Sequence, residues 1–138
     1  MKEMIRKMRE ENKGFTLAEL LIVVAIVMVL VAIAIPVFTS SLHNSQEATD
    51  EANCRSLYGE LQADYLANIN DSHYTGDSTP TAAKDGATVS GSTITFSDGE
   101  KAELSVSSCT ATFHPGEGWS VTWVCNDHSG NTQTWGIQ

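Results

Sequence analysis

The chain has 138 residues, 41% of them hydrophobic, and a formal net charge of −9. That charge is segregated: residues 1–14 hold Lys2, Arg6, Lys7, Arg9 and Lys13 against Glu3, Glu10 and Glu11, whereas residues 15–138 hold fourteen acids against only Arg55, Lys84 and Lys101. An acidic body has no broad basic face to neutralise phosphates, which excludes tight nucleic-acid binding through surface charge.

The first element is the apolar run LLIVVAIVMVLVAIAI, Leu20 to Ile35. Counted from Phe15 it is about 31 Å long as a helix, enough to cross a bilayer. Nine of its sixteen residues are β-branched, which in water would favour a strand. In lipid only a helix satisfies its own backbone, so the segment is expected to be helical. The basic cluster before it marks the cytoplasmic end and implies that the remainder is exported. A secretory signal peptide or a plain signal anchor would share these features. Neither explains Glu19, because an ionisable group in an apolar span costs about 2.5–3.5 kcal/mol at the centre and less near an end.

The stretch Lys13-Gly14-Phe15-Thr16-Leu17-Ala18-Glu19, a short basic leader and an apolar helix ending at Pro36 closely resemble a type IV prepilin. The resemblance implies removal of a leader, residues 1–14, by a prepilin peptidase cutting between Gly14 and Phe15. It also implies N-methylation of Phe15. Glu19 then becomes the fifth residue of the mature chain and Pro36 the twenty-second, matching the family's glutamate and helix-breaking proline. Residues 15–38 are expected to form the transmembrane and filament-core helix. The freed Phe15 ammonium is a fitting counter-ion for Glu19 of a lengthwise-shifted neighbour, since a lone charge in a low-dielectric bundle is costly and a pair much less so. The family's mid-helix glycine has no counterpart at Val27-Met28-Val29, but Pro36 removes a backbone donor, and a kink or local melting is expected at residues 32–36.

Residues 39–70 turn amphipathic. Cys54, Leu57, Tyr58, Leu61, Tyr65 and Ile69 recur on one stripe, and Glu47, Asp50, Glu51, Glu60 and Asp64 are read as lying on other faces. Residues 71–91 are rich in turn formers and read as a connecting loop. Asp71, Asp77 and Asp85 within it lack the alternating spacing of a calcium loop and are read as solvated acids.

Residues 92–138 read as an antiparallel sheet. TITFS (93–97) and KAELSV (101–106) flank Asp98-Gly99. Ile94 and Phe96 share a face with Ala102, Leu104 and Val106 only if the connection is odd, so a three-residue turn with a bulge is expected. CTATFHP and WSVTWVC flank Gly116-Glu117-Gly118. Pairing Phe113 with Val121 brings Cys109 opposite Cys125 and sets Cys109, Ala111, Phe113, Trp119, Val121, Trp123 and Cys125 on one apolar face. A final strand, residues 131–137, puts Trp135 and Ile137 on one face.

Three cysteines in an exported domain allow at most one intrachain bridge. The register favours Cys109–Cys125, with Cys54 as the rival partner. No cysteine pair has zinc spacing, and no metal or cofactor is expected. His43, His73, His114 and His128 are scattered and read as solvated. No nucleophile, zincin or phosphate-loop motif is present, so an enzyme is not expected.

The fold expected is α+β, a long helix on an antiparallel sheet. The resemblance implies a filament subunit that is single-pass in the cytoplasmic membrane as a precursor and at the cell surface once assembled. Its implied partners are copies of itself, related pilins, the peptidase, and an assembly ATPase with its platform protein. A pseudopilin of a secretion or competence apparatus is the rival within the class. A membrane-anchored binding module that never polymerises is the rival outside it.

Overall fold

A computed structural model describes residues 2–3, 16–76, 79–127 and 130–136. Gly14, Phe15, Asp77, His128 and Ile137 lie outside the described residues. The chain divides into two compact units, residues 1–41 and 42–138. One helix, α1 (Leu17–Ala67), runs through both.

In the first unit α1 is long and apolar enough to cross a membrane. It stays helical through Pro36, so the local melting expected at 32–36 is not present. Loss of one N–H interrupts a single rung of a long cooperative ladder, and the Thr39 hydroxyl donates to the Ile35 carbonyl at 2.9 Å just beyond it.

In the second unit α1 presents a buried stripe of Asp50, Cys54, Leu57, Leu61, Asp64 and Tyr65, alternating steps of four and three residues until the adjacent Asp64 and Tyr65. Tyr58 packs half-buried beside it, whereas Ile69 lies beyond the helix and is exposed. After α1 come, among the described residues, a single turn, α2 (Ser72–Thr75), and six strands: β1 (Thr88–Ser90), β2 (Thr93–Thr95), β3 (Lys101–Glu103), β4 (Ser107–His114), β5 (Gly118–Cys125) and β6 (Thr132–Gly136). The segment read as loop 71–91 thus contains α2 and β1. Their short runs are set in turn-forming residues that hide them from a periodicity test.

The strands form two antiparallel sheets, β1-β2-β3 and β4-β5-β6, rather than one. The strand expected over 101–106 ends at Glu103, because the Asp50 carboxylate takes the N–H groups of Ser105 and Val106 that a longer ladder would use. The β2–β3 connection is the expected three-residue bulged turn. Gly99 N–H donates to the Phe96 carbonyl and Phe96 N–H to that of Glu100, with Gly99 at φ +88°. Ile94 faces Ala102, and Leu104 lies buried on the same side.

The β4–β5 hairpin has the expected faces and a different register. Phe113 pairs with Trp119, Ala111 with Val121 and Cys109 with Trp123, so the partners are two residues off those expected. The cause is Pro115-Gly116. Proline presets the first corner of the turn, Gly116 takes φ +80°, and Glu117 N–H closes onto the His114 carbonyl. A slip of two keeps side-chain parity, so Cys109, Phe113, Trp119, Val121, Trp123 and Cys125 still point into the core. Tyr65, Tyr74, Phe113 and Trp119 stack there with ring centroids 5.3–5.6 Å apart.

Candidate functional site

The amino-terminal segment holds a chemistry that the apolar pattern conceals. Glu19 is the only ionisable side chain from Thr16 to Ser41. Its carboxylate accepts the Thr16 N–H at 3.0 Å, and the Thr16 hydroxyl accepts the Glu19 N–H at 3.3 Å. Thr16-Leu17-Ala18-Glu19 is therefore a reciprocal capping box, whose T-x-x-E spelling was visible in the sequence and is absent from the reading above. The cap satisfies two donors that an apolar environment would leave unmet and puts negative charge at the positive end of the helix dipole. Around it the apolar surface is open: Leu17, Met28 and Phe38 are 65–75% exposed. Contiguous apolar area of this extent is far beyond what a water-soluble monomer carries, and it requires lipid or other helices to cover it. Pro36 lies within this exposed stretch.

In the second unit the acids of α1 do something the sequence reading did not foresee. Asp50, read as lying off the apolar stripe, is on it and 1% exposed. It accepts from Ser105 N–H, Val106 N–H and the Ser107 hydroxyl at 2.7–3.1 Å, and Ser107 in turn accepts the Trp123 indole N–H at 2.8 Å. Asp64, also read as lying off the stripe, is buried, accepting from the Tyr74 hydroxyl and from Lys84 N–H. Burial and then the Asp64 carboxylate push the Tyr74 hydroxyl up to about 12. Glu60 accepts Ser97 N–H and Gln62 accepts Trp119 N–H, both at 2.9 Å. This half of α1 is a row of acceptors that ends the backbone donors of the strands and their loops.

The cysteines are arranged differently from expectation. Cys109 lies opposite Trp123 and Cys125 opposite Ser107, so Cys109 and Cys125 are diagonal neighbours. Diagonal positions lie about 7–8 Å apart, too far for a disulfide without backbone movement. Cys54, Cys109 and Cys125 are all buried thiols, so neither the Cys109–Cys125 bridge nor one to Cys54 is formed. Interaction with Cys109, with burial second, pushes the Cys54 thiol up, while interaction with Cys54 draws Cys109 down.

The histidines read as solvated are half-buried where described. His73 bonds the Ala82 carbonyl and His114 the Ser120 hydroxyl, each at 2.9 Å. His43 sits with Glu47, Asp127 and Cys125. Among the loop acids, Asp71 caps α2 and pairs with Lys84, whose ammonium is the first cause of its lowered pKa, and Asp85 accepts Ala87 N–H.

A long exposed apolar helix, capped by one acid and continuing into an α+β domain, is a pilin-like arrangement. Residues 11–35 match the family model described as the prokaryotic N-terminal methylation motif. Over 54 residues, 39% of this chain, the sequence is 43% identical to the type IV major pilin protein PilA of Myxococcus xanthus (strain DK1622). The aligned stretch spans 24% of that relative's length. No solved structure matches the chain. The chain thus carries the prokaryotic N-terminal methylation motif and, over those 54 residues, is similar to a type IV major pilin.

Proposed function

We propose that this protein is the structural subunit of a type IV pilus-like filament, polymerised out of the cytoplasmic membrane by packing of the apolar half of α1. The observation that carries the reading is the exposed apolar helix surface with one carboxylate at its start. Lipid covers that surface in the precursor and neighbouring copies of the helix cover it in the filament. Cleavage between Gly14 and Phe15 frees an ammonium one residue before the capping box. The Glu19 carboxylate then serves two donors: the Thr16 N–H of its own chain and the Phe15 ammonium of an adjoining one. That pairing sets the lengthwise stagger between subunits, because only one offset brings the charges together inside a low-dielectric bundle. The role is structural rather than catalytic. A prepilin peptidase matures the chain, an assembly ATPase and its platform protein supply the work, and related pilins join the same fibre.

Mass spectrometry of the mature amino terminus, taken from membranes and from material sheared off cells, tests the reading. It should begin at N-methylated Phe15 in both fractions, with long fibres abundant in the sheared one. A chain starting at Met1, or cut after the apolar run, contradicts it. Correct processing without extended fibres would assign the chain to a short pseudopilus instead.

A further inference from the structure

We propose that His43, Glu47 and Cys125 form a metal site in the exported domain, suited to a borderline divalent transition ion such as Zn²⁺. His43 and Glu47 stand one turn apart on α1, and Cys125 ends β5, so the three meet only in the folded domain. His43 Nε2 is 3.9 Å from Glu47 Oε2 and 4.0 Å from Cys125 Sγ, and the three ligand atoms all lie within 4.8 Å of one another. A tetrahedral shell with ordinary Zn–N, Zn–O and Zn–S bonds needs separations of about 3.3–3.6 Å, so the two distances to His43 close by about half an ångström and the Glu47–Cys125 distance by up to about 1.3 Å.

Two of the ligands are also oriented from behind. The far nitrogen of His43, Nδ1, faces the Asp127 carboxylate at 3.7 Å, a placement that favours the proton on Nδ1 and the lone pair on Nε2 once the two close to hydrogen-bond distance. The far oxygen of Glu47, Oε1, accepts from Asn131 Nδ2 at 2.7 Å, which turns Oε2 toward His43. The Asn131 carbonyl accepts Cys125 N–H at 3.1 Å, so one residue braces both Glu47 and Cys125. A simple helical His–Glu ion pair would need neither the thiol nor these braces.

The donor set selects the ion. Sulfur and imidazole nitrogen disfavour Ca²⁺ and Mg²⁺, which take oxygen, and suit Zn²⁺. Cys125 is buried, whereas the His43 and Glu47 side chains keep 22% and 14% exposure, so the ion enters from the solvent side and a water completes its shell. Binding displaces the thiol proton to solvent and staples α1 to the end of β5.

The test uses the reduced, metal-free full chain in detergent, titrated with Co²⁺ as the spectroscopic probe and then with Zn²⁺. Wild type should take up one Co²⁺ with a thiolate-to-cobalt charge-transfer band and tetrahedral visible bands, all removed by Zn²⁺. Cys125→Ser should abolish the charge-transfer band. His43→Ala should weaken binding at least ~10-fold, and Asp127→Asn about 10-fold through the outer shell. A Cys54→Ser/Cys109→Ser double variant should keep the band and the affinity. No band in wild type, or a band that survives Cys125→Ser, overturns the site. Should Cys125→Ser fail to fold, unchanged Co²⁺ affinity in a folded His43→Ala chain overturns it equally.

Discussion

Along residues 17–38 of α1 the large apolar side chains are 41–75% exposed, while from Asp50 to Tyr65 the same helix buries Leu57 and Leu61 completely and hides two carboxylates. In the first region every large side chain is apolar except one acid, Glu19, at the helix start. In the second, specificity lies in polar residues on an apolar stripe, where Asp50, Glu60, Gln62 and Asp64 each meet a backbone N–H of the strands or their loops. One helix is therefore written for two solvents. The half without internal partners is held by whatever surrounds it, and the half with many partners holds its own domain.

The contrast breaks most plainly under truncation of leucine. Leu57→Ala should destabilise the domain by about 4 kcal/mol, since it leaves a cavity under both sheets. Leu30→Ala, on the exposed stretch, should leave that unfolding transition unmoved. Urea titration followed by tryptophan fluorescence reads it cleanly, because Trp119, Trp123 and Trp135 all lie on β5 and β6. Asp50→Ala comes next. It strands the N–H groups of Ser105 and Val106 and the Ser107 hydroxyl, and should cost about 3 kcal/mol in the same titration. A loss below about 1 kcal/mol would mean that water replaces the carboxylate.

Peptide mapping without reduction sharpens the cysteine arrangement with the smallest effect on the fold. A thiol–disulfide oxidant takes two electrons and two protons from the Cys54 and Cys109 pair, joining them, while Cys125 stays available to alkylation. A linked Cys109–Cys125 peptide would restore the register that the hairpin does not have.

Much of this was legible before any coordinates. The long apolar helix followed by an α+β domain was readable, because lipid imposes so few solutions on a backbone. The inward faces of β4 and β5 were readable from alternation, but their register was not, since a two-residue slip leaves every face unchanged. Pro115-Gly116 held the missing information, and the turn was instead centred one residue later. Asp50 and Asp64 were hidden for a different reason. A carboxylate near a helical stripe reads as lying off it unless the loop that donates to it is known. The His43, Glu47 and Cys125 cluster depends on β5 returning to α1, which local spacing does not encode.

Filament yield from Glu19→Gln, beside Glu19→Val and Thr16→Ala, tests the central claim most directly. The glutamine keeps an oxygen for the Thr16 N–H and lacks the charge, valine lacks both, and Thr16→Ala leaves the charge with half the cap. If the charge on Glu19 sets the stagger, Gln and Val fail alike, leaving inserted and processed monomers, while Thr16→Ala still forms fibres. Normal fibres from Glu19→Gln would reduce the residue to a helix cap and contradict the account.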